Sequence, residues 1–276
     1  MAAAAALLAA APPRPRTGLL VSTEWLNGNL KNPEVVVLHV ANARTQYDQA
    51  HIPGARLVLM SDILTTRDGN SDELPAPEAL RAVFERLGVS NTSRVILYGD
   101  TLAATRAFFT LDYLGHARAA LLDGGLEKWR AEGRPLTAEA PSVKPGVFNV
   151  KPRPEIVVTF DQMRKLSEAA QQPGSGVFVI DSRSAVAAAK GRIPGAKHVY
   201  WADAQRGSGD PTLKAAAELA VLYGFKAPKT VVTYCIGGVQ ATHGYFVLRY
   251  LGYDDVRVYD GSFSEWSRHP EVLVQH

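Results

Sequence analysis

The sequence predicts an α/β protein made of two copies of one domain, each a mostly parallel sheet with helices on both faces. Three observations carry this. Short continuous apolar runs alternate with segments of helical periodicity, the pattern of strands covered on both faces. The chain repeats itself once. Ile52-Pro53-Gly54-Ala55 recurs as Ile193-Pro194-Gly195-Ala196, Tyr113-Leu114-Gly115 as Tyr250-Leu251-Gly252, Asp123-Gly124 as Asp260-Gly261, and Trp129 as Trp266. A repeat this long is a duplicated domain and not a solenoid unit. Finally, 276 residues accommodate two domains of ordinary size.

Each half has the same order of elements. An early helix spans Thr23 to Leu30, and Thr159 to Ala170 in the second half. A first buried strand follows, Val35-Val36-Val37-Leu38 and Val177-Phe178-Val179-Ile180, and then the loop with the Ile-Pro-Gly-Ala turn. Next comes a helix with an apolar face, Pro77 to Leu87 and Thr212 to Tyr223. Second strands run Val95 to Tyr98 and Val231 to Tyr234, and third helices run Thr105 to Leu114 and Val239 to Leu251. Third strands, Ala119 to Leu122 and Val256 to Tyr259, lead to a last helical turn that holds the tryptophan. In the last long helix Val239, His243, Phe246, Val247, Tyr250 and Leu251 share one stripe, which makes His243 a packed core histidine. Domains are expected at 18–134 and 155–276. The Pro-, Ala- and Lys-rich stretch 135–154 is expected as a surface linker.

Composition excludes several classes. Net charge is +3 and the basic residues are scattered, so no nucleic-acid footprint is visible. One cysteine rules out an internal disulfide, a CxxC redox pair and a cysteine-based zinc site, and the histidines show no metal-ligand spacing. Gly124-Gly125 lacks the remaining spacing of a dinucleotide fingerprint and matches the Asp-Gly turn of the repeat, so no cofactor is expected. The Ala/Leu run Ala2 to Ala11 is too short to span a bilayer. No cation precedes it, which disfavours a secretory signal and favours a disordered cytoplasmic tail. Export through an atypical signal in residues 1–16 is the alternative. A monomer is the default.

The chemistry centres on Cys235, the only cysteine. It ends the β-branched run Val231 to Tyr234, and Gly237-Gly238 follow before a helical pattern opens. Helix N-termini leave N–H groups unpaired and carry partial positive charge, which favours a thiolate. The glycines let backbone N–H groups approach a small anion. Between the copies, Cys235 falls opposite Tyr98 without gaps, or opposite Gly99 when the two tyrosines are paired. Neither is a nucleophile. Ligand sites of open parallel sheets lie at the C-terminal strand ends, so the chemistry belongs to the second half. The first half buttresses it and walls one side of the site. An inert buried cysteine is the competing reading.

The sequence resembles tandem-domain rhodaneses, the thiosulfate and 3-mercaptopyruvate sulfurtransferases, from about Leu20 to Val274. The likeness rests on Asp181-Ser182-Arg183, Ile193-Pro194-Gly195-Ala196, the loop 235–240, and Val258-Tyr259-Asp260-Gly261-Ser262 with Trp266. It implies that Cys235 takes a sulfane sulfur from a small-molecule donor, holds it as a persulfide and passes it to cyanide or a thiol. It also implies that the backbone N–H groups of Ile236, Gly237, Gly238, Val239 and Gln240 cradle the persulfide and the departing anion. Asp181 and Arg183 then organise the site.

The departures from that pattern are informative. Thiosulfate-preferring relatives carry basic residues directly after the cysteine, and mercaptopyruvate-preferring ones Gly-Ser; here stand Ile236 and Gly237. The usual substrate arginine falls at Ala187, leaving Lys190 or Arg192 as substitutes or as solvated loop charges. Phosphatases of this framework need Cys-x5-Arg to clamp a phosphoryl group, and position six after Cys235 is Ala241. A non-catalytic persulfide carrier or binding module is the alternative function.

Overall fold

The computed structural model describes residues 14–225 and 228–275. The Ala/Leu run lies outside them. The first half comprises β1 Leu20–Val21, α1 Thr23–Asn29, β2 Val35–Ala41, α2 Thr45–Gln49, β3 Arg56–Leu59, α3 Met60–Ile63, β4 Thr65–Arg67, β5 Asn70–Glu73, α4 Pro77–Arg86, β6 Arg94–Gly99, α5 Thr101–Tyr113, β7 Ala119–Leu122 and α6 Gly125–Ala131. The second comprises β8 Val157–Val158, α7 Phe160–Ala170, β9 Val177–Asp181, α8 Ala185–Ala189, β10 Ala196–His198, β11 Gln205–Gly207, β12 Asp210–Leu213, α9 Ala216–Tyr223, β13 Thr230–Tyr234, α10 Val239–Tyr250, β14 Val256–Tyr259 and α11 Ser262–Trp266.

Each half forms a five-stranded sheet, in the order β1-β7-β6-β2-β3 and, identically placed, β8-β14-β13-β9-β10. Every pairing in both sheets is parallel. Helix entry is set by local capping. Ser22 Oγ accepts the Trp25 N–H to start α1, and Thr159 with Gln162 forms a capping box at the matching entry of α7. One expected helix is shorter than the periodicity implied. Asp210–Leu213 pairs with Gln205–Gly207 as an antiparallel hairpin, so the helix there begins at Ala216 and not at Thr212. In the first half α5 begins at Thr101, one turn before the expected Thr105, because the Asp100 carboxylate caps it.

The halves meet through α5 and α10, related by an approximate twofold axis. Phe108 stands edge-on to Phe246 at 4.9 Å, and Phe109 edge-on to Tyr245 at 5.0 Å. These pairs exchange under the repeat. Thr105 and Thr242, equivalent in the two copies, approach within 3.5 Å at their hydroxyls. The largest apolar cluster accordingly runs from one domain into the other, and two smaller ones fill the outer sheet faces. The stretch 138–153 carries no helix or strand and lies along the first domain. Phe148 is fully buried there, and the N–H groups of Gly146 and Lys151 donate to the Glu85 and Leu114 carbonyls.

Each half also sends its hairpin across. The Leu74 N–H, just after β5, donates to Asp260 Oδ2 at 3.0 Å. The Leu213 N–H, at the end of β12, donates to Asp123 Oδ1 at 3.2 Å. The first domain therefore walls the C-terminal strand ends of the second, where β13 delivers Cys235.

Candidate active site around Cys235

The strand end that bears Cys235 is tied from one side by Tyr234. Its hydroxyl donates to Asp181 Oδ2 at 2.8 Å and accepts the Ile193 N–H at 3.1 Å. The Ile-Pro-Gly-Ala turn is thereby fastened to β13 and β9. Arg183 completes the unit. Its Nε and Nη2 donate to Asp181 Oδ1 and Oδ2 at 2.9 and 2.6 Å, and Nη2 also to the Gly191 carbonyl at 2.7 Å. The guanidinium lies 4.0 Å from the centroid of the Phe263 ring. Both charges are buried and satisfied, which makes this pair a brace for the loop and not a free cation for an anionic substrate.

From the other side the cysteine backbone is held by the turn after β14. The Cys235 N–H donates to Ser262 Oγ at 3.1 Å, and that hydroxyl donates to the Tyr259 carbonyl at 2.8 Å. The Cys235 and Ile236 carbonyls accept the N–H groups of Phe263 and Ser264, each at 3.0 Å. Ser262 adopts φ +54, a conformation rare outside glycine, so this turn is strained where it grips the loop. The serine was legible only as part of a motif; its bond to the Cys235 backbone was not.

The Sγ itself faces a curl of backbone donors. The N–H groups of Gly237, Gly238, Gln240 and Ala241 all favour its anionic form, so the arc reaches one residue further into α10 than expected. Gly238 makes the curl possible at φ +93, where a Cβ would lie 2.5 Å from Asp260 Oδ1 and 2.8 Å from the Asp260 carbonyl. The expectation of a thiolate is corrected in one respect. Cys235 is only 1% exposed, and burial pushes the thiol up against the donors that pull it down. Burial and the backbone donors therefore act on the Cys235 sulfur in opposite directions. Val239 opens α10, while Ile236 is 53% exposed at the loop surface.

The first domain closes over this loop. A Cβ at Gly237 would lie 3.1 Å from Asp72 Oδ2 and 3.6 Å from Ser71 Oγ. Arg106 of α5, fully buried, pairs with Asp260 at 2.5 Å. Sequence reasoning missed Arg106, because one arginine in an Ala-rich helix carries no local signal. Lys190 is exposed at the end of α8, and the Arg192 backbone pairs with Gln275. Among the described residues, no hydrogen bond joins either cation to the loop 235–240. Ala187 sits within α8, whose entry is capped by Ser184. His243 is buried edge-on to Trp201 at 5.5 Å, and burial lowers its pKa to about 4. Among the described residues, no group of three His, Cys, Asp or Glu could hold a metal ion, and no helix is long and apolar enough to cross a membrane.

The comparisons with known proteins agree with this geometry. The family model described as "Rhodanese-like domain" matches twice, over residues 22–132 and 159–269. The chain is 37% identical over 275 residues to the sulfur carrier protein TtuD of Thermus thermophilus, covering 90% of this chain and 93% of that protein. It is 32% identical over 268 residues to a putative thiosulfate sulfurtransferase of Mycobacterium tuberculosis, covering 91% and 95%. Among solved structures, SseA from Escherichia coli, titled a 3-mercaptopyruvate sulfotransferase, superposes with a TM-score of 0.77 at 25% identity, covering 89% of this chain and 98% of that one.

Proposed function

The chain belongs to the rhodanese-like family, with two such domains in tandem, and from that premise we propose that it is a sulfurtransferase working through a Cys235 persulfide. The feature that carries the reading is the set of backbone N–H groups, from Gly237, Gly238, Gln240 and Ala241, that favour the anionic form of the one cysteine of the chain. The names of relatives, sulfurtransferase and sulfur carrier, support the same class of chemistry.

The donor is thiosulfate, with 3-mercaptopyruvate second. Cys235 gives up its proton to water as the donor enters, and the thiolate attacks the outer sulfur. The S–S bond of thiosulfate breaks, sulfite leaves with the bonding pair, and Cys235 is left as the anionic persulfide. Cyanide then attacks the terminal sulfur, thiocyanate leaves, and the thiolate returns; a thiol acceptor would take the sulfur in the same way. A persulfide is a stronger acid than a thiol, so the N–H arc is better matched to the loaded enzyme than to the resting one. The backbone dipoles act where charge resides in the transition state and need no reorganisation. Ile236 presents an apolar side chain where a cation would attract a dianion, so thiosulfate binds weakly.

Steady-state thiocyanate formation tests the reading. With thiosulfate and cyanide both varied, double-reciprocal plots should give parallel lines, the signature of a free loaded enzyme between two half-reactions. Intersecting lines, or no thiocyanate above the Cys235→Ser background, would overturn it.

A further inference from the structure

We infer that Arg106 of the first domain and Asp260 of the second are a positioning pair for the cysteine loop, so that the first domain sets the geometry of a sulfur site it does not itself carry. This rests on the sulfurtransferase reading for its meaning, but not for its test. Arg106 Nη1 and Nη2 donate to Asp260 Oδ1 and Oδ2 at 2.5 and 3.1 Å, and Nη2 also to the Asp72 carbonyl at 2.6 Å. Asp260 Oδ2 further accepts the Leu74 N–H. One guanidinium thus gathers the first domain's hairpin and the turn after β14.

Gly238 packs on that assembly. A Cβ there would meet Asp260 Oδ1, the Asp260 carbonyl and Arg106 Nη1 at 2.5, 2.8 and 3.4 Å. The pair is the wall that holds the Gly238 turn at φ +93, and the Gly238 N–H is one of the donors on the sulfur. If the wall shifts, the turn relaxes and the donor arc loses its aim.

The internal repeat separates this role from ordinary domain packing. The counterpart of Asp260 is Asp123, and that of Arg106 is His243. Asp123 still accepts the Leu213 N–H, so the hairpin crossing is kept on both sides. The guanidinium bridge is not. His243 Nδ1 is buried with no hydrogen-bond partner, and Asp123 faces Lys128 Nζ at 3.7 Å. A cavity of about 30 Å³, lined by His243, Asp123 and Gly99 among others, occupies the place of the missing bridge. Assembly of the interface therefore tolerates its absence on the side without a cysteine. A buried ion pair is costly to desolvate and is weak evidence for stability; here it stands only behind the loop that carries the nucleophile.

The test uses the full chain with Arg106→Gln and Asp260→Asn, and Val95→Ala as a control that destabilises the first-domain core far from the loop. The readout is the pH profile of Cys235 alkylation by iodoacetamide, beside thermal midpoint and thiosulfate kinetics. Both loop-wall variants should move the alkylation midpoint up by about one pH unit and lower kcat by about tenfold or more. Val95→Ala should lower the thermal midpoint and leave the alkylation profile where it was. If Arg106→Gln does not fold, Arg106→Lys, which keeps charge but loses the two-pronged bond, should show the same upward shift. A variant profile superimposable on wild type, or an equal shift in Val95→Ala, overturns the inference. A wild-type protein that takes up no sulfur would instead defeat the proposed function while the alkylation comparison still decides the role of Arg106.

Discussion

After β6 and after β13 the chain makes the same manoeuvre, from a buried strand into the N-terminus of a long helix, and fills it differently. In the first half the residue at the turn is Gly99, at φ +123, and a Cβ there would overlap the Val40 carbonyl. No side chain, a thiol included, fits. The next residue, Asp100, turns its carboxylate onto the helix, accepting the Leu102 and Ala103 N–H groups at 3.0 and 3.1 Å. In the second half Cys235 occupies the turn and its sulfur faces the donors instead. The tyrosine before the turn is used alike in both, since Tyr98 accepts the Ile52 N–H as Tyr234 accepts that of Ile193. This fixes the correspondence of Cys235 with Gly99, which the sequence left open against Tyr98. Beneath the tyrosine the halves part again: the buried Asp181–Arg183 pair in one is replaced in the other by His39, whose pKa burial lowers to about 4. One scaffold offers an anion seat twice. One copy plugs it with a capping carboxylate, and the other leaves it to the Cys235 sulfur.

The difference can be broken at three points. Gly238→Ala places a methyl against Asp260 and forces the φ +93 turn to move, so sulfur loading should fall about 100-fold or more, measured by single-turnover mass spectrometry. Ile236→Arg adds a cation at an exposed position beside the cradle. It should lower the KM for thiosulfate about fivefold, from roughly 1 kcal/mol of attraction in high dielectric, with the gain fading as salt is raised; an unchanged KM would count against the weak-binding account. Asp100→Ala removes the plug of the silent copy. It should cost about 1 kcal/mol of stability, the usual value of a helix cap, read by urea denaturation, with sulfur transfer unaltered.

Much of this was legible because the relevant physics is local. Val35 to Leu38, Val95 to Tyr98 and Val231 to Tyr234 announce buried strands by continuous apolar character, and the motif spacing announces the duplication. Cys235 at a strand end before Gly237-Gly238 announces a cysteine at a helix entry lined by backbone donors. What escaped depends on the other half of the molecule. The hairpins Thr65–Arg67 with Asn70–Glu73 and Gln205–Gly207 with Asp210–Leu213 are short and largely polar, and they gain meaning only by crossing to the opposite domain. For that reason Thr212 read as a helix start. Arg106 reads as an ordinary helix residue until Asp260 is placed beside it. The thiol's upward shift was invisible for the same reason, since burial of Cys235 is a product of tertiary packing and the helix N-terminus a product of local order. Lys190 and Arg192 follow the Ala187 position in sequence, and the structure sets Lys190 at the exposed end of α8 and pairs the Arg192 backbone with Gln275.

The most direct test of the account is the intact mass of the protein after incubation with thiosulfate and, separately, with 3-mercaptopyruvate. The account predicts a gain of one sulfur atom, removed by cyanide and absent in Cys235→Ser, with the faster-loading compound identifying the donor. No gain from either donor would contradict it, and would leave Cys235 as the well-packed thiol of a binding module.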